Sequence, residues 1–340
     1  MLWGWVLPIE KGDSQLRLGA DSSTYFALAD DTQTGKSDST GTLGGNSLGM
    51  IAIALLLKRA SAIALFNFAL FVISFWCVKT IRGADPYIFG LLLMLNAETA
   101  VSIVTLNKEI FIIISVVLLA KYIYSEKRSK LLLLLILGIS LMARWEQAFV
   151  ILMFVVLRNG WLKRHPWICV SLVVGGISLI YPLLARGVDL SGFTDQASGG
   201  GAIALLDALQ SHGGFFLAVV PKIIMSVAGR VITPLYFFGA YSALDPNDLQ
   251  NRFVVHLHSV ALVALFGWAL FKGKLSLKEP IPLFIALYLI VTAVNPFIQP
   301  RYEYSVYVLL CLQVAITTKP PARVAKSITE MQASEEAIAI

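Results

Sequence analysis

The chain has 340 residues, 57% of them hydrophobic and 14% charged, with a mean hydropathy of +0.75. A soluble domain carries about 25% charged residues, so apolar runs recurring over the whole length exclude an ordinary soluble fold. They point to an all-α polytopic membrane protein. The net charge of +6 calls for no nucleic acid, because the cytoplasmic loops of membrane proteins collect Lys and Arg.

The opening Met1–Ile9 is apolar but too short to span and lacks a basic leader. It reads as no cleavable signal, and as the stump of a first helix if the start codon lies late. Residues 1–47 form an external polar region, rich in Gly, Ser and Thr. Within it, Gly19 to Tyr25 sets the acid Asp21 four residues before the aromatic Tyr25. Locally, Asp21 reads as a loop carboxylate or a helix N-cap. Thr34 to Ser37 matches the end of a phosphate loop, but Asp30 stands where that motif needs its first Gly, and no apolar strand precedes it.

Residues 48–318 read as a multi-pass transmembrane domain. The stretch 44–57 is apolar but short, an interfacial or re-entrant helix ended by Lys58 and Arg59. Spans are predicted at 60–78, 86–106 and 110–124, the last followed by the basic run 126–130. From 131 to 157 the chain is apolar except for Arg144, Trp145, Glu146 and Gln147. As one helix it would be about 40 Å long with charges at its middle. As two, each piece falls short of a bilayer core of about 30 Å. Short pieces meeting at polar residues belong beside a cavity. Further spans are predicted at 166–185, 254–271, 281–298 and 304–317. Residues 186–214 read as a long loop, and 215–239 as an apolar segment with Pro221, Lys222, Arg230 and Pro234. Residues 319–340 form a cytoplasmic tail.

The basic clusters at 79–82, 126–130, 158–165, 272–278 and the tail belong in the cytoplasm. They alternate if 144–147 turns on the outside and if the whole of 186–252 stays external. That map puts five polar sites on one face: the Asp21 region, Asn107 to Glu109, Arg144 to Glu146, the 186–252 loop, and Gln299 to Glu303. Ionisable groups at a membrane edge are expensive and carry functional weight. Arg and Lys suit phosphate, Arg by its fork and Lys as a point charge. Lys108 precedes a helix start, where backbone N–H groups favour an anion. A carboxylate opposite can serve as a general base for a sugar hydroxyl.

An acid in the first external loop, short membrane helices, a Lys-Glu pair opening a helix and a late Arg-Tyr resemble the C-type integral-membrane glycosyltransferases and the related polymerases of bacterial surface polysaccharide. The resemblance covers most of the chain in layout, through short motifs. It implies a helical bundle of that type in a bacterial inner membrane, with Asp21 as the catalytic acid and Asp30 and Asp31 as its near competitors. It also implies a donor linked to polyprenyl phosphate or diphosphate, a glycan or lipid acceptor, and association with a polysaccharide assembly complex. Lys108, Arg144 and Arg301 become phosphate contacts, with Tyr25, Glu109, Glu146 and Tyr302 around the substrate. No cofactor is implied, and the need for a divalent metal stays open. His256 and His258 are two apart and diverge on a helix, against the spacing of a helical metal pair. Cys77, Cys169 and Cys311 fall singly in apolar runs and read as small core residues. A flippase and a non-catalytic assembly subunit are the alternative readings.

Overall fold

The apolar runs fold as helices whose ends are fixed by the polar residues between them. The computed structural model describes residues 25, 29, 48–57, 59–125, 129–158, 160–187, 202–232, 246–295 and 300–317. In chain order the helices are α1 (Leu48–Leu57), α2 (Ala60–Lys79), α3 (Pro86–Met94), α4 (Ala97–Val104), α5 (Glu109–Tyr124), α6 (Lys130–Ala143) and α7 (Trp145–Leu157). A 3-10 turn at Gly160–Arg164 leads to α8 (Pro166–Gly187), α9 (Ala202–Ser211), α10 (Phe215–Ile232), α11 (Pro246–Phe271) and α12 (Pro280–Thr292). A second 3-10 turn, Pro300–Glu303, opens directly into α13 (Tyr304–Thr317). There is no strand among the described residues.

Three segments are long and apolar enough to cross a membrane: Ser61–Lys79, Pro166–Leu183 and Phe253–Phe271. The pair α3 and α4 makes a fourth if it counts as one span. The packed centre is built from α5, α12 and α13, where Ile112, Val116, Phe284, Leu287, Val308 and Leu312 are buried. Around it, α2, α6 and α8 turn large apolar side chains outward, including Leu65, Trp76, Leu131, Leu134, Leu179 and Leu183. A soluble protein avoids such a surface; hydrocarbon accepts it.

Several helix starts follow from single residues. Asp85 caps α3 by accepting from the N–H groups of Tyr87 and Ile88, with Pro86 in the first turn where its missing N–H costs nothing. Ser129 caps α6 through the N–H of Leu132. Gly49 lets α1 close onto α6, for a Cβ there would stand 2.4 Å from the carbonyl oxygen of Met142.

Three sequence expectations are corrected. The span predicted at 86–106 is two helices bent by 88°. Asn96 makes the bend: its backbone is extended, its side-chain oxygen accepts from the N–H of Glu98, and its amide nitrogen lies 2.8 Å from His258 Nδ1 on α11. The stretch 186–214 is not all loop, since α8 runs through Gly187 and α9 occupies Ala202–Ser211. The span predicted at 281–298 closes its helix at Thr292. By contrast, the break expected at 144–147 is there and is one residue wide: Arg144, with extended backbone, ends α6 and begins α7.

Candidate functional site: a cavity at a broken helix

Because Arg144 leaves the helical path, its side chain reaches inward where a continuous helix would have carried it past. Its Nη2 donates to Glu109 Oε1 at 3.2 Å and to the carbonyl of Arg301 at 3.3 Å. Its guanidinium lies 4.8 Å from the centre of the Tyr302 ring, and that of Arg301 lies 5.9 Å from the same ring. Arg144 is 3% exposed and Glu109 1%. Burying two charges is costly unless they pair and their remaining polar atoms are met. Here the pairing is incomplete, since Arg144 Nε and Glu109 Oε2 are buried with no hydrogen-bond partner among the described residues.

A second polar chain runs beside the first. Gln147 Nε2 donates to Ser115 Oγ at 2.7 Å, and Gln147 Oε1 lies 3.2 Å from Ser305 Oγ. Ser305 Oγ is 3.1 Å from the Tyr288 hydroxyl, which donates to the carbonyl of Tyr302 at 3.2 Å. Glu303 follows, with Oε1 held by the hydroxyls of Ser226 at 2.6 Å and Thr292 at 3.0 Å, and with Oε2 buried and unmatched. Burial pushes the Glu303 carboxyl up to about 7, while the Ser226 and Thr292 hydrogen bonds and the Arg144 charge pull the other way. On α9 and α10, the Nζ of Lys222 is 2.6 Å from both Asp207 and Gln210, and Gln210 donates to the carbonyl of Val294. That contact anchors the chain just past the end of α12.

These chains frame a cavity of about 460 Å³ between α7, α8 and α12. Arg144, Glu146, Tyr288, Tyr302, Thr292 and Asn295 give it polar surface, with Tyr181 from α8. Trp145, Phe149, Ile177, Ile180, Val291 and Val294 line the rest with hydrocarbon. Trp145, Phe149 and Ile180 are 53%, 52% and 56% exposed, so the cavity opens on the outward apolar face of the bundle. The volume falls in the range of pockets that hold a small ligand. The lining thus sets a hydrocarbon wall beside the Arg144 guanidinium and the Glu146 carboxyl.

Of the residues singled out from sequence, the structure gathers Glu109, Arg144, Arg301 and Tyr302, and places Glu146 in the cavity wall. Lys108 is buried at the N-cap of α5, its N–H bonded to Asn107 Oδ1, outside the cavity lining. Tyr25 is helical and buried in the hydrophobic core. Asp21, Asp30, Asp31 and the Thr34–Ser37 stretch lie outside the described residues. His258 is a buried partner of Asn96, packed against the rings of Tyr304 and Tyr307. Among the described residues no three His, Cys, Asp or Glu side chains form a group that could hold a metal.

Sequence reading missed Tyr288, Thr292 and Asn295. Their spacing of four and three puts them on one face of a helix, and three polar residues on one stripe of an apolar run was the available signal. It also passed over Glu303, counted there only as the end of the polar run Gln299 to Glu303. Comparisons of the chain with protein-family models, with curated proteins and with solved structures find no match.

Proposed function

We propose that this protein is a membrane glycosyltransferase that takes sugar units from a polyprenyl-phosphate or polyprenyl-diphosphate donor. It acts on the non-cytoplasmic face of a bacterial inner membrane during synthesis of surface polysaccharide or glycolipid. In this reading the short, broken helices are those expected of a C-type integral-membrane enzyme. The observation that supports this reading is the cavity: its hydrocarbon wall opens toward the apolar outer surface, and Arg144, with an unmatched Nε–H, borders it. A polyprenyl chain would lie along Phe149, Ile177 and Ile180, with its phosphate at Arg144 and Tyr302. Arg binds phosphate through paired N–H donors, and a water-poor site strengthens each such contact. In this reading Asp21 is the base that takes the acceptor hydroxyl proton. A glycan or lipid acceptor then displaces the donor phosphate directly, with inversion at the sugar carbon.

The test is transfer of labelled sugar from a polyprenyl-diphosphate donor to endogenous acceptor in membranes carrying the full chain. Arg144→Gln should lower donor binding, and Asp21→Asn should abolish transfer while the protein stays in the membrane. Undiminished product from both variants would reject the assignment. A second reading is a transporter of lipid-linked sugar. It draws on the 88° bend between α3 and α4, with Asn96, Glu98 and Thr99 buried at the bend, since transporters use broken helices at their binding sites. Net movement of labelled lipid-linked sugar between leaflets, without new glycosidic bonds, would favour it.

A further inference from the structure

The Arg144 site already contains an anion of its own. Glu109 Oε1 sits 3.2 Å from Arg144 Nη2 at a place from which solvent is excluded, and Glu109 borders Arg144 without lining the cavity. Any anion arriving through the cavity must share or take a guanidinium that a carboxylate already holds. We infer that Glu109 sets a charge threshold for this site. A headgroup with one negative charge gains no more from Arg144 than Glu109 gives, and it strands a buried carboxylate. A headgroup with two or three charges gains more from Arg144 and from neighbouring Arg301 than the resident pair is worth. The site therefore refuses singly charged phosphodiesters, a sugar on polyprenyl phosphate among them, and accepts a headgroup of two or more charges on a hydrocarbon chain, a sugar on polyprenyl diphosphate among them.

This inference rests on the lipid-phosphate reading of the cavity and narrows its donor from phosphate or diphosphate to diphosphate. The geometry supplies two supports independent of that reading. Glu109 Oε2 has no hydrogen-bond donor among the described residues, so the carboxylate is held there by charge more than by a full set of bonds. Arg144 has further holds on the carbonyl of Arg301 and the ring of Tyr302, so it keeps its place when Glu109 lets go. Two anions about 4–8 Å apart at the effective dielectric of a protein, about 20, repel by roughly one and a half to three powers of ten in affinity. That is enough to decide which lipid wins in a membrane where phosphodiesters are in large excess. Specificity built from a repulsive partner is a general device.

The experiment compares four ligands on one C15 isoprenoid chain: farnesol, farnesyl methyl phosphate, farnesyl phosphate and farnesyl diphosphate. Binding to the full chain is measured in uncharged detergent at pH 7.5, where a phosphomonoester carries nearly two charges. In the wild type, the alcohol and the methyl phosphate should bind within about threefold of each other, and the monophosphate at least about tenfold more tightly. In Glu109→Gln the step should move, with the methyl phosphate gaining about tenfold or more. In Arg144→Gln the whole series should flatten. An even rise with each added charge in the wild type overturns the threshold. So does a Glu109→Gln series that keeps the wild-type step. Should Glu109→Gln fail to fold, the shape of the wild-type series alone decides. A flat wild-type series, or an Arg144→Gln series identical to the wild type, overturns the lipid-phosphate reading together with the threshold.

Discussion

Replacing Arg144 by Met removes a buried cation while keeping most of its length, and the structure sets the size of the loss. Glu109 is 1% exposed and its hydrogen bond comes from Arg144. Stranding a buried carboxylate costs about 3–5 kcal/mol, and the hydrogen bond to the Arg301 carbonyl and the stacking on Tyr302 go with it. Arg144→Met should therefore lower stability by about 4 kcal/mol. Glu109→Leu should cost less, about 2–3 kcal/mol, because Arg144 keeps the carbonyl and the ring. The double variant should sit within about 1 kcal/mol of the wild type, since a buried ion pair exchanged for well-packed apolar residues is close to neutral. The assay is reversible unfolding in mixed micelles titrated with SDS and followed by helical circular dichroism. A double variant as unstable as the sum of the two single ones would refute the pairing. A Glu109→Leu variant less stable than Arg144→Met would refute the asymmetry.

Asn96→Leu removes the cap of α4 and leaves His258 Nδ1 without its amide; it should cost about 2–3 kcal/mol and raise hydrogen exchange across Ala97–Val104, and an unchanged exchange rate there would count against the bend. Gly49→Ala puts a methyl group 2.4 Å from the Met142 carbonyl oxygen and should cost about 1–3 kcal/mol by forcing α1 off α6. Gly138→Ala on the same α6, where nothing lies within 4 Å, should cost nothing, so equal losses from the two would contradict the crossing. For Glu303 the folded carboxyl stands at about 7 against an ordinary 4.5, so the fold holds a proton that the unfolded chain has released between those values. Stability contributed this way is complete below pH 4.5, falls through the window up to about 7, and is level above it, a total change of about 3 kcal/mol. The SDS midpoint should fall accordingly, and Glu303→Gln should remove the slope; a midpoint that rises with pH over this window would sink the assignment.

What could be read from the sequence divides along physical lines. Composition and run length sufficed for α2, α8 and α11, because each carries a stretch of 18 or 19 residues apolar enough to cross a membrane. The break at Arg144 was equally legible, since no membrane helix carries an Arg and a Glu at mid-length without a reason. The bend at Asn96 was not. A single Asn in an apolar run costs little by composition, and only the distant His258 shows why the chain turns there. Asp207 was assigned to a loop for a similar reason: its place on a helix is explained by Lys222, fifteen positions later, not by its own neighbours. At the candidate site, Arg144, Arg301 and Tyr302 could be named because each interrupts an apolar stretch. Glu303 could not be singled out from the polar run Gln299 to Glu303, because its actual partners, Ser226 and Thr292, come from two other helices.

The broken helices follow one rule, and it explains why the cavity lies where it does. Each break frees backbone carbonyls that hydrocarbon cannot satisfy, and in this bundle side chains from other helices meet them. Tyr307 donates to the carbonyl of Leu92 near the end of α3. Asn67 donates to those of Ser102 and Thr105 at the end of α4. Gln210 serves Val294 beyond α12, Tyr288 serves Tyr302, and Arg144 serves Arg301. Tyr307, Asn67, Gln210 and Tyr288 thus serve backbone carbonyls far away in sequence. Arg144 differs. One carbonyl and one carboxylate oxygen engage a single one of its nitrogens, its Nε–H is left over, and the residue borders a cavity whose other walls are hydrocarbon. A buried donor that the fold leaves unmatched costs about 1–3 kcal/mol. An arriving acceptor would recover that cost, and in the function proposed above the acceptor is the phosphate of a lipid entering through the outward apolar opening of the cavity.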